Sequence, residues 1–593
     1  MFNNETLHVV DYFNDSLKTL DEKNIDDCFQ NQILKQSKIN IGANRETADA
    51  INALDKKINK TTKSANAARG GMIAMRVIGI ILLCVGILFV VMGALNYFLP
   101  SVAYIGGGVG GIVLGGLLFG LSWLVKNKYK REEKILTDLQ AERAKEYQTA
   151  LMQLADFKTH FNSNMVFDIF EKTYPLIHFD DYFSEADYLN WTLWLQNDVN
   201  STVLYCLSGN VKTNPFIVLR TKNTKLYDHV YTGSVTRMVS VTTYVNGRSQ
   251  TSMRPVVITA TTTNPAPMYW NETKLFFKSN AANDLSFENI TQFKNEKKAE
   301  KYFEKNKDME PMDNPEFDKL FPCDRDNETQ FRTLFSPLAQ EEMIKLMKVK
   351  NDYSFNKHKT LNIISSPSFE QINMNYNFDR YLPFFDYETI KDDFYTFNQD
   401  FFSNIYFMFA PILTIPLYQQ YEYHQPPFEK KLVNLMSHME TESAANASFN
   451  PEVFAHPSSK TQNILKTKRV FENSLYEINQ VIAHGYDTRT RTVVKVVMHP
   501  QAGPTSVPII VIDYLPVQQS KYVVNSYVPK VNRDVSLNTN VTENNPWLKY
   551  FKSMGASAFA KVGNISTTLL SGTKSTVDKD TYKEFLDKIT KSI

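Results

Sequence analysis

Two apolar runs dominate the hydrophobic pattern, Val77 to Phe98 and Val102 to Val125, with only Leu99-Pro100-Ser101 between them. Each exceeds about 20 residues without a charge, and at roughly 1.5 Å of rise per residue each spans the roughly 30 Å hydrocarbon layer of a bilayer. A buried helix of a soluble core is seldom apolar beyond about 14 residues. The tandem pair therefore predicts a transmembrane helical hairpin over 77–125. Pro100 ends the first helix by removing a donor. So short a connector holds no domain, so both flanks lie on one side of the membrane. Asn96, Tyr97 and Tyr104 gather at the turn, as polar and aromatic groups do at a membrane interface.

Polar segments flank the hairpin. Residues 6–35 read as a loosely amphipathic helix with Val9, Phe13, Leu17 and Leu20 as contacts. Residues 45–65 read as a second, through Ile51, Leu54 and Ile58. No Pro or Gly interrupts Arg131 to Tyr174, where Leu136, Leu139, Tyr147, Leu151, Leu154, Phe157 and Phe161 recur at helical spacing. The second apolar helix is thus expected to run directly into a stalk, with the 45–65 helix pairing against it as an antiparallel coiled coil.

From about residue 196 the period changes to that of strands: Thr202 to Leu207, Pro215 to Leu219, Val235 to Val245 and Val256 to Thr263, with Asn246-Gly247 as a hairpin turn. Arg489 to Val497 and Pro504 to Val517 repeat the theme, and Pro508 marks a strand start or an edge position. The stretches 235–262 and 489–513 loosely echo each other. Glu341 to Val349 and residues 428–445 read as helices. Residues 376–424 are densely aromatic, but the apolar part, Ile405 to Leu417, is too short and proline-interrupted to span a bilayer. It reads as core, with a hydrophobic groove or interfacial contact as alternatives. Residues 520–545 read as a linker, 547–562 as a short helix and 577–591 as a terminal amphipathic helix. The expected fold is α+β: a cytoplasmic helical segment (1–70), the hairpin (77–125), a stalk (126–175), two regions of an α/β body with antiparallel sheet (176–365 and 366–520), and a linker with C-terminal helices (521–593).

Charge adds an orientation. Lys56, Lys57, Lys60, Lys63, Arg69 and Arg76 precede the hairpin, Lys126, Lys128, Lys130, Arg131 and Lys134 follow it, and the turn has no basic residue. The positive-inside rule places both termini and the body in the cytoplasm. A signal peptide is not expected, because residues 1–70 are polar. No ionisable residue sits mid-span, which argues against transport by this chain alone. Gly79, Gly86 and Gly93 on the first helix, and Gly107, Gly111, Gly115, Gly116 and Gly120 on the second, are candidate helix-packing positions, because small residues let backbones approach in lipid. The two helices packing on each other is the simpler use; the surplus on the second helix leaves room for a homo-oligomer or a membrane-protein partner.

The 593 residues carry a net charge of +2, which gives no case for nucleic-acid binding. Four dispersed cysteines make neither a disulfide framework nor a metal cluster. Lys and Asn abundance suggests an AT-rich bacterial genome. No catalytic, cofactor or metal signature stands out. His424 lies near Glu422 and Glu429, but two prolines break any helical ligand geometry. Asp324-Arg-Asp-Asn-Glu lacks the alternation and central Gly of a calcium loop. His358 and His499 lack a second ligand at metal spacing.

The stretch FDIFEKTYPLIHFDDYFSEADYLN, followed by LYCLSGNVKTNPFIVLRTKN, resembles an uncharacterised bacterial membrane-protein family. The resemblance centres on Gly209 to Phe216 and covers about 150 residues around the anchor and first strands; residues 280–480 depart from it as an insertion. It implies a paired-helix anchor, a stalk and a soluble α/β body, and no activity. The expected role is a membrane-tethered scaffold or binding protein whose first partner is the lipid bilayer. The alternative is a membrane-associated enzyme acting on lipid or envelope precursors.

Overall fold

A computed structural model describes residues 8–94, 101–162, 164–180, 182–192, 195, 199–245, 248–306, 309–374, 378–423, 437–447, 451–472, 476–527, 556–562 and 565–570. Asn96, Tyr97, Leu99, Pro100, Asn246, Gly247, His424, Glu429, Trp547 and the 577–591 segment lie outside them. The chain forms two compact units. One comprises Asp27–Phe161 and Phe378–Tyr395; the other comprises Met1–Asp26, Asn162–Asn377 and Thr396–Ile593.

The first unit is built on two long helices, Ile41–Ala94 and Ser101–Gln153. Both are long and apolar enough to cross a membrane. They run antiparallel, and the second passes from its apolar half into its polar half without a break. In the polar half Arg143 grips Asp55 through two bonds, Nε to Oδ1 at 2.5 Å and Nη2 to Oδ2 at 3.2 Å. Between two and three turns further on, Gln153 Nε2 donates to Thr47 Oγ1 at 3.1 Å. The expected helix through 170 instead stops at Gln153 and resumes as Ala155–Lys158 and Asn164–Thr173. The break lets Leu154 and Phe157 bury completely. Residues 378–395 clasp the polar ends: Tyr147 donates to the Pro383 carbonyl at 2.6 Å and Lys158 to those of Leu382 and Phe384.

The N-terminal helical stretch, Val9 to Leu34, buries Val9, Phe13, Leu17, Asp21, Ile25, Phe29 and Ile33, every fourth residue. A period of four is longer than the 3.6 of an α-helix, so a straight helix would rotate this face away. Two wider π-type turns, Phe13–Leu17 and Phe29–Leu34, reset the phase. Leu20, expected as a contact, is consequently exposed and Asp21 takes the inner position. Burial pushes the Asp21 carboxyl up to about 8, against the pull of its hydrogen bond from Thr173.

The second unit holds two antiparallel sheets. The eight-stranded sheet runs in the order Ile177–Phe179, Ser201–Val211, Asn214–Val245, Arg248–Lys278, Leu361–Ser365, Ser354–His358, Ser286–Asn289, Cys323–Arg325. The five-stranded sheet runs Ala556–Val562, Ile565–Leu570, Gly503–Tyr527, Tyr476–His499, Ile464–Glu472. Residues 556–562 are thus a strand rather than part of a helix, and strand Gly503–Tyr527 extends into the expected linker.

Each sheet contains one very long ribbon. The first pairs strands of 32 and 31 residues, the second strands of 24 and 25. The first ribbon joins Val245 directly to Arg248 across its tip. Among the described residues it has no sheet partner beyond the short strands that flank its base, and a lone two-stranded ribbon is marginal in water. The second ribbon supplies what is missing. Ile258 and Ala260 pack against Val507, Ile509 and Val511, with Tyr231, Val235, Val493 and Val497 around them. Asn264 Nδ2 donates to the Ile512 carbonyl at 2.7 Å, and Lys495 Nζ to that of Thr261 at 2.7 Å. The two echoing sequence stretches therefore pack face to face.

Prolines mark the free edges. Pro255, Pro265 and Pro267 occupy odd positions of one strand, and Pro504, Pro508 and Pro516 even positions of another, so within each strand their nitrogens share one edge. Lacking N–H groups, they fit only where no ladder bond is needed, and they discourage pairing with another chain.

The aromatic segment is core. Helix Tyr387–Leu413 buries Phe394, Phe401, Phe402, Tyr406 and Phe409, and Tyr406 donates to the Val9 carbonyl at 2.9 Å.

The ribbons approach closely at Gly233, where an added Cβ would stand 2.2 Å from the Pro508 carbonyl oxygen. That neighbour is backbone and cannot rotate away. Gly233→Ala is expected to cost about 1–3 kcal/mol, seen as a lower thermal midpoint in circular dichroism; an unchanged midpoint would show that the ribbons are not in close contact.

Candidate functional site

The site is organised by a nine-residue helix, His438–Asn446. Its sequence, HMETESAAN, would suit a solvated surface, yet Met439 to Ala445 are all buried. Ser437 starts it by accepting the Glu440 N–H at 3.4 Å, an N-cap that satisfies one of the orphan donors of a first turn. The buried polar groups are then consumed by the two strands beside the helix. The strand Ser201–Val211 bulges at Leu204, which falls outside the pairing register. Ser443 donates to the Leu204 carbonyl at 3.1 Å, and Asn446 Nδ2 to Thr202 Oγ1 at 2.7 Å and the Val203 carbonyl at 3.0 Å. On the other side Thr467 donates to the His438 carbonyl at 2.7 Å.

Glu442 sits at the centre of this arrangement. Its Oε1 accepts the Val203 N–H at 2.6 Å and the Lys466 ammonium at 3.3 Å. Lys466 also donates to the Ser201 carbonyl at 2.8 Å. Glu442 Oε2 is buried and makes no hydrogen bond. Burial pushes the carboxyl up to about 7, against the pull of Lys466 and of the Val203 N–H. His438, whose ring meets Tyr188 edge-on at 4.4 Å, is held down at about 4 by burial and by Lys466 and Arg469. It is therefore neutral at physiological pH.

Beside Glu442 and Lys466 opens a cavity of about 380 Å³. Its floor is one face of the first ribbon's base. The register pairs Leu219 with Lys274, Thr221 with Glu272 and Asn223 with Trp270, so alternate residues of both strands point to the same side. Phe276, Leu195 and Met439 make the apolar part of the wall. Glu272 and Lys274 form an ion pair with each other at 3.0 Å.

A second cavity, of about 290 Å³, is lined by Asp180, Asp187, Asn210 and Tyr423. Near it Lys278 lies over the Trp191 ring at 4.4 Å, and burial holds its ammonium down at about 8. A third cluster brings His8, Asp11 and Glu342 within ligand distance of one another. Lys345 already bonds both carboxylates there, at 2.6 and 2.9 Å, and stands where a cation would.

The sequence candidates fall elsewhere. Asp324 to Glu328 form a strand end and helix cap: Arg325 pairs with Glu328 at 2.7 Å, and Asn327 caps the helix Glu328–Leu334. His499 accepts the Gln501 and Ala502 N–H groups at the second ribbon's tip. Neither Glu442 nor Lys466 was singled out by sequence. The only local signal is the Ser437 cap, which locates the helix but not its burial.

The glycine positions separate into two sets. A Cβ on Gly86 would lie 2.8 Å from the Gly108 carbonyl oxygen, and one on Gly115 2.9 Å from that of Gly79. Gly79, Gly86, Gly111 and Gly115, joined by Gly108, therefore bring the two helix backbones into direct contact. Gly107, Gly116 and Gly120 do not take part: each has open space where a side chain would go. The surroundings of Gly93 are not among those described.

No protein family, curated protein or solved structure matches the chain. Function is therefore argued from this geometry.

Two measurements check it. The folded-state pKa of Glu442 lies above its unfolded value, so its contribution to stability is present below about 4.5 and is lost as pH rises through about 7. The difference in denaturation midpoint between wild type and Glu442→Gln is expected to fall over that window by the equivalent of about 3 kcal/mol; a flat difference would place the carboxylate in solvent. Gly86→Leu is expected to destabilise the helix pair, whereas Gly116→Leu is neutral in it, read as protease resistance of the membrane fragment in detergent.

Proposed function

We propose that the chain is a membrane-tethered binding protein, held by its helical hairpin and presenting its α/β body in the cytoplasm. The observation that carries this reading is the hairpin itself. Two uncharged apolar segments touch backbone to backbone at glycines, while their large side chains face outward: Ile81, Leu88, Leu117 and Trp123 are each more than half exposed. Apolar surface on that scale is costly in water and neutral in lipid. The basic residues on both flanks, Lys56 to Arg76 and Lys126 to Lys134, support the cytoplasmic orientation.

The partners follow from the same surface. The lipid bilayer covers the outward side chains. Gly107, Gly116 and Gly120 offer a second close-approach face for another copy of the hairpin or a different membrane helix. The body acts as a scaffold or binding module and the chain needs no cofactor for that role. One observation favours the alternative, a membrane-associated enzyme acting on lipid or envelope precursors. Glu442 is a buried carboxyl titrating near neutrality beside a polar cavity, a combination common in catalytic sites.

The tether is tested by fractionation and protease access. The full chain is expected to stay in the membrane pellet through an alkaline carbonate wash. External protease should leave the body intact in spheroplasts and digest it in inverted vesicles. Release by carbonate would overturn the tether, and digestion in spheroplasts the orientation.

A further inference from the structure

We propose that the larger cavity binds a neutral pyranose sugar, with one face of the ring stacked on Trp270 and the hydroxyls met by Asn223, Glu272 and Lys274. The inference rests on the binding-protein reading and names its ligand class. The sugar is either free or the headgroup of a lipid, and the wall meets the same chemistry in both.

All four side chains are open to a ligand. Trp270 is 40 % exposed, the Glu272 and Lys274 side chains are each more than a third exposed, and Asn223 is partly exposed. Strand register fixes where they stand. Ser201, Asn223 and Trp270 form one row across three strands, and Val203, Thr221 and Glu272 form a neighbouring row on the same face. All six line the cavity. Neighbouring strands lie about 4.8 Å apart, and alternate residues of one strand about 6.8 Å apart. Polar groups thus begin one strand spacing to the side of Trp270 and one repeat along its own strand. A ring lying over the indole reaches both with its rim. The polar groups also hold one another in place. Asn223 Nδ2 donates to Thr221 Oγ1 at 3.2 Å, and Glu272 pairs with Lys274 at 3.0 Å. Groups fixed before binding lose little freedom when a ligand arrives. Deeper in, Glu442 and Lys466 are closed on each other and on the strand Ser201–Val211, and they take no part.

Chemistry then selects the ligand. The indole face is electron-rich and attracts the weakly positive C–H bonds along one face of a pyranose. A hydroxyl both donates and accepts. Sugar hydroxyls can therefore donate to the Glu272 carboxylate, accept from the Lys274 ammonium and do either at the Asn223 amide. A wholly apolar molecule would cover these groups and leave them unmet, at a cost. An ion of either sign would be drawn to one member of the Glu272–Lys274 pair and repelled by the other. A neutral, hydroxyl-rich ring with one apolar face satisfies both kinds of wall. A cavity of about 380 Å³ is at the small end of ligand sites, which suits a single ring rather than a long chain.

The test uses the full chain in phosphatidylcholine nanodiscs, with empty discs subtracted, and saturation-transfer NMR with the methyl pyranosides of glucose, mannose and galactose. At least one is expected to bind saturably with a Kd of about 1 mM, as suits so small a ligand. The C–H protons of one ring face should receive the most saturation. Trp270→Ala should weaken binding by about three- to tenfold, and Glu272→Gln by about five- to tenfold, with folding of each variant checked by circular dichroism. Wild-type affinity in either folded variant, or no saturable binding of any of the three sugars, would overturn the site. Glucosamine or glucuronate binding about tenfold tighter than the neutral sugar would overturn the neutral class. Phosphatidylcholine vesicles with and without monoglucosyl diacylglycerol, added as competitors, separate the two sources. Displacement by the glycolipid vesicles alone assigns a lipid headgroup, and no displacement a free saccharide. Release of methanol from the glycoside would replace the binding-protein reading with the enzymatic one and leave the site standing, whereas the tether is decided separately by the carbonate wash.

Discussion

A two-stranded ribbon has no core of its own, and the body of this protein is arranged around that constraint. The first ribbon runs for more than 30 residues on each strand, far beyond the short strands that flank its base. Left alone, its distal half would expose one side of Val235, Ile258 and Ala260 to water. Packing it on the second ribbon closes that side and builds the small core around Ile509. Aligned sheet packing needs close approach of the two faces. Gly233 provides it by presenting no side chain to the Pro508 carbonyl. The prolines then finish the design from outside, since ribbons this long leave long free edges.

The same logic of uncovered backbone explains the buried helix. The strand Ser201–Val211 has a bulge and an open edge near Val203, so its amide and carbonyl groups need partners from elsewhere. His438–Asn446 supplies them from Glu442, Ser443 and Asn446. A carboxylate in that position is more than a single N–H requires. Its second oxygen is left enclosed without a hydrogen bond, beside the volume that remains between the helix and the ribbon base.

The fold was legible wherever one physical rule acted alone. The apolar hairpin and the strand-rich stretches each follow from length or period. What could not be read was set by contact between distant segments. The strands looked short because the polar stretches between their apolar pieces, such as 220–234, lack the alternation of a half-buried strand, and only pairing over the full ribbon makes them continuous. Leu20 was expected inside because the π-type turns that rotate it outward are not written in a 3.6-residue period. Glu442 escaped notice because METES has the composition of a surface helix; its burial depends on a strand 239 positions away in sequence, at Val203 and Leu204.

The glycines show the limit of pattern reading most directly. Spacing alone grouped eight of them as one packing set. Geometry divides them by what stands opposite: Gly79, Gly86, Gly111 and Gly115 meet backbone, whereas Gly107, Gly116 and Gly120 meet nothing within 4 Å. In the polar halves the pairing that begins at Gly86 and Gly108 continues to Asp55 and Arg143, and to Thr47 and Gln153. One register therefore runs the length of both helices, fixed by backbone contact in the apolar half and by an ion pair in the polar half. A glycine face outside that register contributes nothing to the hairpin's own packing, yet each such glycine lowers helix propensity relative to alanine. Glycine is in any case more frequent in membrane helices than in soluble ones, so an outward glycine there needs no contact of its own.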